Sequence, residues 1–311
     1  MPTVFIDGAV GTTGLEIADR MAGRSDFRVI SLSDADRKNV AARSAIIRDA
    51  DFVILCLPDD AAREAVALGE GAPTRFIDCS TAHRIADGWV YGFAEFSESQ
   101  RDAIRIAARV SNPGCYSTGF IALVAPLVAQ GLLPSDHGFI VNAVSGYSGG
   151  GKDLIARMQT DAPDLGYRAY ALGLEHKHLP EMQVLCGLSR APLFAPAVVR
   201  AFRGMLVDVP LFLDPELGFA DARTLHEALA EHYSREPLVS VAPINTAPGE
   251  LLLSDGDAPS DCLRLYVLPS PDGSQVRLIA MLDNLGKGAS GAAVQNLNIM
   301  AGLDELAGLR T

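Results

Sequence analysis

One cysteine stands in a turn that suits nucleophilic chemistry. Cys115 lies in the segment Ser111 to Thr118, between an apolar strand pattern and an apolar helix pattern. The N-terminus of a helix favours a thiolate, and its unpaired N–H groups can bind an oxyanion. The four remaining cysteines lie in apolar or strand-like segments and are predicted to be small buried hydrophobic residues. They are Cys56, Cys79, Cys186 and Cys262.

A proton shuttle for this nucleophile is predicted in the segment His176 to Glu181. If the segment is extended, His176 and His178 project to the same face. Glu181 can then hold one of the rings in a chosen tautomer. A metal site is the alternative for a His-x-His pattern, but no third ligand stands at a suitable spacing, so no metal is predicted. The sequence leaves open which histidine serves Cys115.

A glycine-rich turn near the start of the chain predicts a dinucleotide site. Gly8, Gly11 and Gly14 have the spacing GxxGxxG and lie between an apolar strand pattern and a helix pattern. Glycine allows the backbone to turn tightly and to approach a pyrophosphate, which binds the free N–H groups of the helix. An ordinary glycine turn is the alternative.

The cofactor is predicted to be NADP from residues near the end of the second strand pattern. Ser33, Arg37 and Lys38 favour a 2′-phosphate at that point, although Asp34 is an unfavourable neighbour. The alternative for the two basic residues is a solvated helix start. A comparison of NADPH and NADH binding separates the two interpretations.

The elements that position these residues indicate an α/β protein with two domains. Strand and helix patterns alternate over the first part of the chain, and the nearly all-apolar run from Asp51 to Leu57 is typical of a buried parallel strand. We expect a Rossmann-type parallel-sheet domain at residues 1–116, completed by a C-terminal helix at 286–311. Residues 117–285 read as an α+β catalytic and oligomerisation domain with a mixed or antiparallel sheet.

The predicted elements of the second domain include long strand patterns. Apolar runs predict a helix at 118–132 and strands at 138–144, 196–213, 238–241, 263–268 and 276–282.

Charge and hydropathy exclude two classes of partner. The formal net charge is −12, and phosphate-backbone binding needs a concentrated basic face, so nucleic acid is not expected. Apolar runs fall short of the roughly 18 residues that cross a bilayer. The chain begins with a strand pattern instead of a basic leader with an apolar run, so we expect a cytoplasmic protein with no membrane partner.

Several segments together resemble the N-acetyl-gamma-glutamyl-phosphate reductase family, in its shorter type 2 form, within the wider group of aspartate-semialdehyde and glyceraldehyde-phosphate dehydrogenases. They occur in order along the whole chain. The matching segments are 8–14, 78–84, 91–95, 111–119, 145–152, 174–182 and 283–296. Ala94 stands where the family pattern leads us to expect proline.

The resemblance implies roles for residues that composition does not single out. It implies Cys115 as a nucleophile that forms a thioester, and a histidine in the His-x-His segment as its acid–base partner; His178 is favoured because Glu181 follows it at i+3. The implied cofactor residues are Gly8, Val10, Gly11, Thr12, Thr13, Gly14, Ser33, Arg37, Lys38, Asn284 and Gly286. The implied substrate residues are Ser80, Arg84, Asn112, Ser145, Gly146 and Lys152.

The implied reaction is NADPH-dependent reduction of an acyl phosphate to a semialdehyde and phosphate. Two alternatives stay open from the sequence. One is an aspartate-semialdehyde-type dehydrogenase, with the same chemistry on a shorter acid. The other is a regulator that binds a dinucleotide without catalysis. The resemblance also implies a homo-oligomer, a dimer or a tetramer.

Overall fold

The chain folds into two compact units. The computed structural model describes residues 1–33, 35–37, 39–162, 164–244, 246, 249–254, 256 and 258–311. The first unit consists of Met1–Gly114 and Ala289–Leu309, and the second consists of Cys115–Gly288 and Arg310–Thr311. The first unit is therefore built from two separate parts of the chain.

The first unit contains a parallel sheet. Its strands are β1 (Thr3–Asp7), β2 (Arg28–Ile30), β3 (Phe52–Leu55), β4 (Arg75–Asp78), β5 (Val90–Tyr91) and β6 (Arg109–Ser111). They lie in the order β2-β1-β3-β4-β6-β5, and every neighbouring pair is parallel. Its helices are α1 (Thr12–Met21), α2 (Val40–Asp49), α3 (Asp59–Leu68), α4 (Gln100–Ile106) and α9 (Gly291–Ala301).

The strand order explains where this unit can bind a ligand. All four residues of β3 are apolar and buried, as a strand covered on both faces requires. From β1 the chain moves outward to β2 and then returns to the other side of β1 at β3. Open α/β sheets bind ligands in the crevice at such a switch point, beyond the carboxyl ends of the strands. The glycine-rich turn follows β1 directly.

The second unit contains a mixed sheet. Its strands are β7 (Ile140–Gly146), β8 (Tyr167–Ala169), β9 (Leu193–Val199), β10 (Met205–Phe212), β11 (Val239–Val241), β12 (Leu263–Pro269) and β13 (Gln275–Leu282). They lie in the order β11-β12-β13-β10-β7-β9-β8, with parallel and antiparallel pairs. Its helices are α5 (Cys115–Ala129), α6 (Gly151–Ala156), α7 (Leu179–Leu185) and α8 (Ala222–His232). The predicted fold class is confirmed.

The prediction of one strand over 196–213 is wrong. The apolar run forms β9 and β10, and β7 lies between them. The chain crosses the end of β7, where Tyr147 N–H donates to the carbonyl of Ala201 and Ser148 N–H donates to that of Phe202, at 2.9 and 3.1 Å. Gly204 then turns the chain with φ 100°. Hydropathy records both strands but not the turn between them.

Helix α5 covers one face of the mixed sheet. A Cβ atom on Gly119 would lie 2.8 Å from Cγ2 of Val207, so glycine permits the close approach of this helix to β10. Pro126 inside α5 has no N–H to donate to the carbonyl of Ala122. Tyr233 fills that place, since its hydroxyl donates to the same carbonyl at 2.9 Å. Although α5 is apolar, the described helices include none that is both long and apolar enough to cross a membrane.

The other face of this sheet carries exposed apolar side chains. Strand register places Leu206 opposite both Met281 and Val144, and Ile140 opposite Leu193. Phe212 is 75% exposed on the same face. We call this surface the open face and define it by Ile140, Leu193, Leu206, Phe212, Arg264 and Met281.

Candidate active site

Cys115 is the first residue of α5, so this helix begins earlier than the apolar pattern predicts. The next residues, Tyr116, Ser117 and Thr118, are buried. The first N–H groups of a helix have no partner within that helix. Together with the helix dipole, they are placed to stabilise negative charge beside the sulfur atom. Of the other cysteines, Cys186 is buried as predicted, and the remaining three are half-buried.

Gly288 lies against the cysteine within the second unit. A Cβ atom at this position would be 2.8 Å from Cβ of Cys115 and 3.2 Å from the carbonyl oxygen of Asp283. Two unbonded carbon atoms cannot approach so closely, so a residue with a side chain would displace Cys115. Glycine is therefore required here by the position of the cysteine.

His176 and His178 lie together, but the prediction of an extended segment is wrong. His178 precedes α7 with helical dihedral angles, φ −88° and ψ −13°. The rings meet because the chain turns, with centroids 4.7 Å apart and planes at 79°. Nε2 of His178 is 4.0 Å from Oε1 of Glu181, and both side chains are buried. The turn therefore brings the half-buried imidazole of His176 together with the buried imidazole of His178 and the buried carboxylate of Glu181.

Two contacts indicate where the proton of His176 lies. Its Nδ1 accepts the backbone N–H of His178 at 3.2 Å, which favours the neutral ring with its proton on Nε2. That Nε2 faces the hydroxyl of Tyr170 at 3.4 Å. Protonation of Nδ1 would break the backbone hydrogen bond. The two histidines therefore differ in their contacts: His176 accepts from the backbone of His178, and His178 lies 4.0 Å from the carboxylate of Glu181.

The first turn of α5 contacts this cluster. The ring of Tyr116 lies 5.9 Å from that of His176 and 5.8 Å from that of His178, between centroids. Ser117 Oγ donates to the carbonyl of His178 at 3.4 Å. The residues that follow the cysteine therefore contact both imidazole-bearing residues.

Two phenols lie near the cysteine, a buried one on Tyr116 and a half-buried one on Tyr170. Tyr116 and Tyr170 hydrogen-bond to each other, and the hydroxyl of Tyr116 donates to the carbonyl of Ala197 at 3.1 Å. Desolvation raises the pKa of Tyr170 to about 12, and negative charge on Cys115 adds to that effect. Burial also raises the pKa of Tyr116. Both phenols therefore stay protonated near neutral pH.

Three predicted substrate residues lie around the end of β7. Ser145 is buried and hydrogen-bonds to Tyr116. Gly146 approaches the crossing loop so closely that a Cβ atom would lie 2.8 Å from the carbonyl of Ala201. Lys152, on α6, is exposed. The structure thus connects Ser145 with the cysteine turn and places Lys152 in solvent.

Asn284 and Gly286 lie in the loop that follows β13. Asn284 is 2% exposed, and its Nδ2 donates to Ser148 Oγ at 2.9 Å. Its Oδ1 is buried and has no hydrogen-bond partner among the described residues. A Cβ atom on Gly286 would lie 1.9 Å from the carbonyl of Ser260. The loop therefore presents one unpaired acceptor, which suits a ligand with an N–H group.

The glycine-rich turn of the first unit forms a backbone cradle. Gly8 has φ +87°, and its Cβ atom would lie 2.3 Å from the carbonyl of Cys56, while that of Gly14 would lie 2.4 Å from the carbonyl of Gly8. Gly11 precedes α1 without a side-chain cap. Thr12 Oγ1 is buried and has no hydrogen-bond partner in the described part of the chain. Together with Thr13 in the same helical turn, these groups leave donors for an anion at the start of α1.

A cavity of about 490 Å³ opens beside this turn, lined by Gly8, Val10, Ser31, Leu32 and Arg37 among others. Arg37 is exposed at the rim. The hydroxyl of Ser33, which was predicted to contact the cofactor, instead donates a hydrogen bond to the Asp36 carboxylate at 2.6 Å. Lys38 lies outside the described residues. The cavity suits an adenosine moiety with a basic group at one edge.

A loop after β4 holds Ser80 and Arg84. Asp78 is fully buried and accepts hydrogen bonds from the hydroxyl of Ser80 at 2.7 Å and from Nδ1 of His83 at 2.6 Å. The His83 ring stacks on Trp89 at 4.2 Å. Arg84 follows in the chain. The buried carboxylate therefore fixes the loop that presents Arg84.

Asn112 uses both ends of its amide within the first unit. Nδ2 donates to the carbonyl of Ala289 at 2.9 Å, and Oδ1 accepts from Nδ2 of Asn296 at 3.2 Å. Sequence reasoning gave no role to Tyr170, nor to Asn296, although Asn296 is the last residue of the matching segment 283–296. Among the described residues, no group of three or more His, Cys, Asp or Glu side chains is arranged so that it could hold a metal ion.

Residues 115–284 match the family model described as semialdehyde dehydrogenase, dimerisation domain. The chain is 50% identical over 306 residues to an N-acetyl-gamma-glutamyl-phosphate reductase of Rhizobium meliloti, which covers 96% of this chain and 98% of that protein. It is 51% identical over 310 residues to the protein of that name from Brucella ovis, covering 97% and 99% of the two chains.

The fold is similar to those of solved enzymes at low sequence identity. Aspartate semialdehyde dehydrogenase II of Vibrio cholerae has a TM-score of 0.71 and 14% identity, covering 97% of this chain and 99% of that one. A probable aspartate-semialdehyde dehydrogenase of Pseudomonas aeruginosa has a TM-score of 0.71 and 18% identity, with the same coverage. At these identities the likeness concerns the fold.

Proposed function

Because the chain belongs to the N-acetyl-gamma-glutamyl-phosphate reductase family, we propose that it reduces N-acetyl-gamma-glutamyl phosphate with NADPH to N-acetylglutamate semialdehyde and phosphate, in the cytoplasm, as a step of arginine biosynthesis. The observation that supports this best is Cys115 at the start of α5. The same helical turn contacts the cluster of His176, His178 and Glu181.

The covalent step uses the sulfur of Cys115. A bond forms between this sulfur and the acyl carbon of the substrate, and the bond from that carbon to the phosphate oxygen breaks, so phosphate leaves with the electron pair. Backbone N–H groups in the first turn of α5 hold the oxyanion, a contribution of about 3 kcal/mol for a good donor. Bound NADPH supplies a hydride to the acyl carbon. Cys115 holds the thioester until that reduction releases it as a thiolate.

His178 acts as the acid–base group and Glu181 orients it. The carboxylate oxygen is 4.0 Å from Nε2 of His178, and both groups are shielded from water, which strengthens their interaction. His176 is held with its proton on Nε2 by the backbone N–H of His178. We therefore assign His176 to orienting the backbone of His178, and the proton transfer to His178 itself.

NADP fits the cradle of the first unit. The glycine-rich turn with Thr12 and Thr13 holds the pyrophosphate, and the cavity beside it holds the adenosine. Arg37, exposed at the rim of that cavity, is assigned to the 2′-phosphate. We assign the nicotinamide amide to Asn284, whose buried Oδ1 needs a donor. Higher affinity for NADPH than for NADH is the expected result, and equal affinity would contradict the 2′-phosphate site.

Arg84 and Lys152 are assigned to the anionic groups of the substrate. An arginine offers two parallel donors to a carboxylate or a phosphate. Ser80 lies in the loop that Asp78 fixes, and Ser145 with Gly146 lies at the end of β7. Asn112 contributes through its backbone position, since its amide is already paired.

The test runs the reaction in reverse, with NADP, phosphate and either N-acetylglutamate semialdehyde or aspartate semialdehyde. We expect NADPH formation with the first aldehyde. Cys115→Ser is expected to lower the rate by at least about 1,000-fold, because loss of a nucleophile removes the covalent path. Cys262→Ser, a change at a half-buried cysteine, is the matched control and keeps the rate. Activity with aspartate semialdehyde alone would overturn the proposed substrate, and a fully active Cys115→Ser variant would overturn the mechanism.

A second copy of this chain covers the open face. The matched family model is described as a dimerisation domain and spans nearly the whole mixed sheet. Phe212, Leu193 and Ile140 on this face are 75%, 46% and 44% exposed, and clustered exposed apolar side chains mark interaction sites. The proposed assembly is a dimer built on this face.

A further inference from the structure

Helix α9 carries three buried amide side chains, Gln295, Asn296 and Asn298, each no more than 1% exposed. The helix otherwise contributes apolar residues to the core of the first unit. Burial of an amide is unfavourable unless hydrogen bonds replace those to water. The partners of each amide therefore indicate what the residue is for.

Asn296 and Asn112 form a pair whose orientation is fixed by two backbone carbonyls. Asn296 Nδ2 donates to the carbonyl of Gly92 at 2.9 Å, and Asn112 Nδ2 donates to the carbonyl of Ala289 at 2.9 Å. A carbonyl only accepts, so the atoms that face it must be the amide nitrogens. The remaining contact, Asn296 Nδ2 to Asn112 Oδ1 at 3.2 Å, is then a correctly paired hydrogen bond. We call this pair the amide clasp.

The amide clasp holds two segments of the chain. One directly precedes Cys115 in sequence, and the other directly follows Gly288, the glycine that packs against Cys115. Asn112 lies three residues before Cys115. Ala289 directly follows Gly288, whose Cβ atom would collide with Cys115. Gly92 completes the arrangement, because a Cβ atom there would lie 2.3 Å from Asn296 Nδ2. The Asn296 amide on α9 thus fixes the residues that precede Cys115. Through Asn112 it also fixes the residues that follow Gly288.

We propose that Asn296 is a positioning residue for Cys115 and acts through Asn112. This inference rests on the proposed role of Cys115 as the nucleophile. Asn296 does not need to touch the substrate for this role. It sets where the chain enters α5, and a reacting group displaced by about 1 Å can lose about 100-fold in rate.

Asn298 is the matched control on the same helix. It is also fully buried, but its Nδ2 donates to the carbonyls of Glu305 and Ala307 at 3.0 and 2.9 Å. Its Oδ1 accepts from Arg24 at 2.9 Å. Replacing Asn298 therefore removes comparable hydrogen bonds from α9 and leaves the amide clasp in place.

The experiment compares Asn296→Ala with Asn298→Ala in the full chain, in the NADP- and phosphate-dependent assay. Asn296→Ala is expected to lower kcat by about 10- to 100-fold and to leave KM for NADP within about twofold. The rate at which iodoacetamide alkylates Cys115 changes at least severalfold. Asn298→Ala is expected to lower Tm similarly, with kcat and the alkylation rate close to wild type. Asn296→Ser provides a milder change if Asn296→Ala does not fold.

A double variant tests the route through Asn112. If Asn296 acts through that residue, Asn112→Ala with Asn296→Ala has the same kcat as Asn112→Ala alone. Equal effects of Asn296→Ala and Asn298→Ala on kcat and alkylation would overturn the inference. The alkylation comparison does not depend on the substrate, so the inference can fail while Cys115→Ser still supports the proposed function, and the reverse also holds.

Discussion

At the scale of single residues, the glycine-rich turn depends on the hydrogen atom that Gly8 carries in place of a side chain. Its φ of +87° is one that L-residues adopt at a cost of about 1–2 kcal/mol. In addition, a Cβ atom would be 2.3 Å from the carbonyl of Cys56. The backbone of β3 therefore presses against the turn that is proposed to hold the cofactor.

Gly8→Ala is expected to destabilise the fold and to weaken NADPH binding. Gly23→Ala is the matched control, because Gly23 has φ +79° but no atom within 4 Å of its Cβ position. Both variants place alanine at a positive φ, but only Gly8→Ala brings a Cβ atom against the carbonyl of Cys56. Gly8→Ala is therefore expected to lower the free energy of unfolding by about 1–3 kcal/mol more than Gly23→Ala. Urea denaturation and NADPH titration measure the two effects. If both variants lose the same free energy of unfolding and the same affinity for NADPH, the contact with Cys56 is unimportant.

Local sequence predicts Cys115 but not the residues that hold it. Its turn, strand and helix are contiguous, so spacing alone singles it out. The hydrogen bond between Asn112 and Asn296 joins residues 184 positions apart, and no short pattern encodes such a pair. Tyr170 likewise meets His176 only because the chain folds back before α7.

At the scale of elements, α5 contains a proline that it tolerates through a tertiary contact. Pro126 cannot donate to the carbonyl of Ala122, and Tyr233 donates to it instead. Tyr233→Phe is expected to destabilise the protein by about 1–3 kcal/mol, since that carbonyl becomes a buried acceptor without its partner. Chemical denaturation of the variant measures the loss.

The same substitution in a Pro126→Ala background isolates the cause. Alanine restores the N–H that the helix needs, so Tyr233→Phe is then expected to cost much less. If Tyr233→Phe lowers the free energy of unfolding equally in both backgrounds, the Tyr233 hydroxyl does not compensate for the missing N–H of Pro126.

Strands and helices were predictable from the sequence where the hydropathy pattern matches the burial of the element in the fold. The all-apolar β3 follows from burial on both faces of a parallel sheet. The apolar run at 196–213 is instead two strands, because Gly204 and the crossing over β7 interrupt it. The His-x-His segment is a turn, since Pro180 follows in the first turn of α7 and His178 already takes helical angles. Hydropathy periodicity does not record turns of this kind.

At the scale of the whole molecule, the open face makes the assembly testable. We expect the wild-type chain to sediment as a dimer. Leu193→Glu places a charge opposite Ile140 at a leucine that is 46% exposed on that face, where burial without a partner is costly, so this variant is expected to be monomeric. Leu217→Glu, at an exposed leucine outside the sheet, is the control. A wild-type monomer at high concentration would refute the proposed interface.

The two-part construction of the first unit has a consequence for translation. Ala293, Leu297, Ile299 and Met300 of α9 belong to the same core as Val4 and Ile6. The ribosome adds the 174 residues between Gly114 and Ala289 (288 − 114) before α9 appears, which takes about 9–35 s at typical elongation rates. During that interval the nascent chain already carries Cys115 but lacks Asn296. A chain that stalls early therefore lacks the hydrogen bond between Asn112 and Asn296, and synthesis of the last helix supplies it.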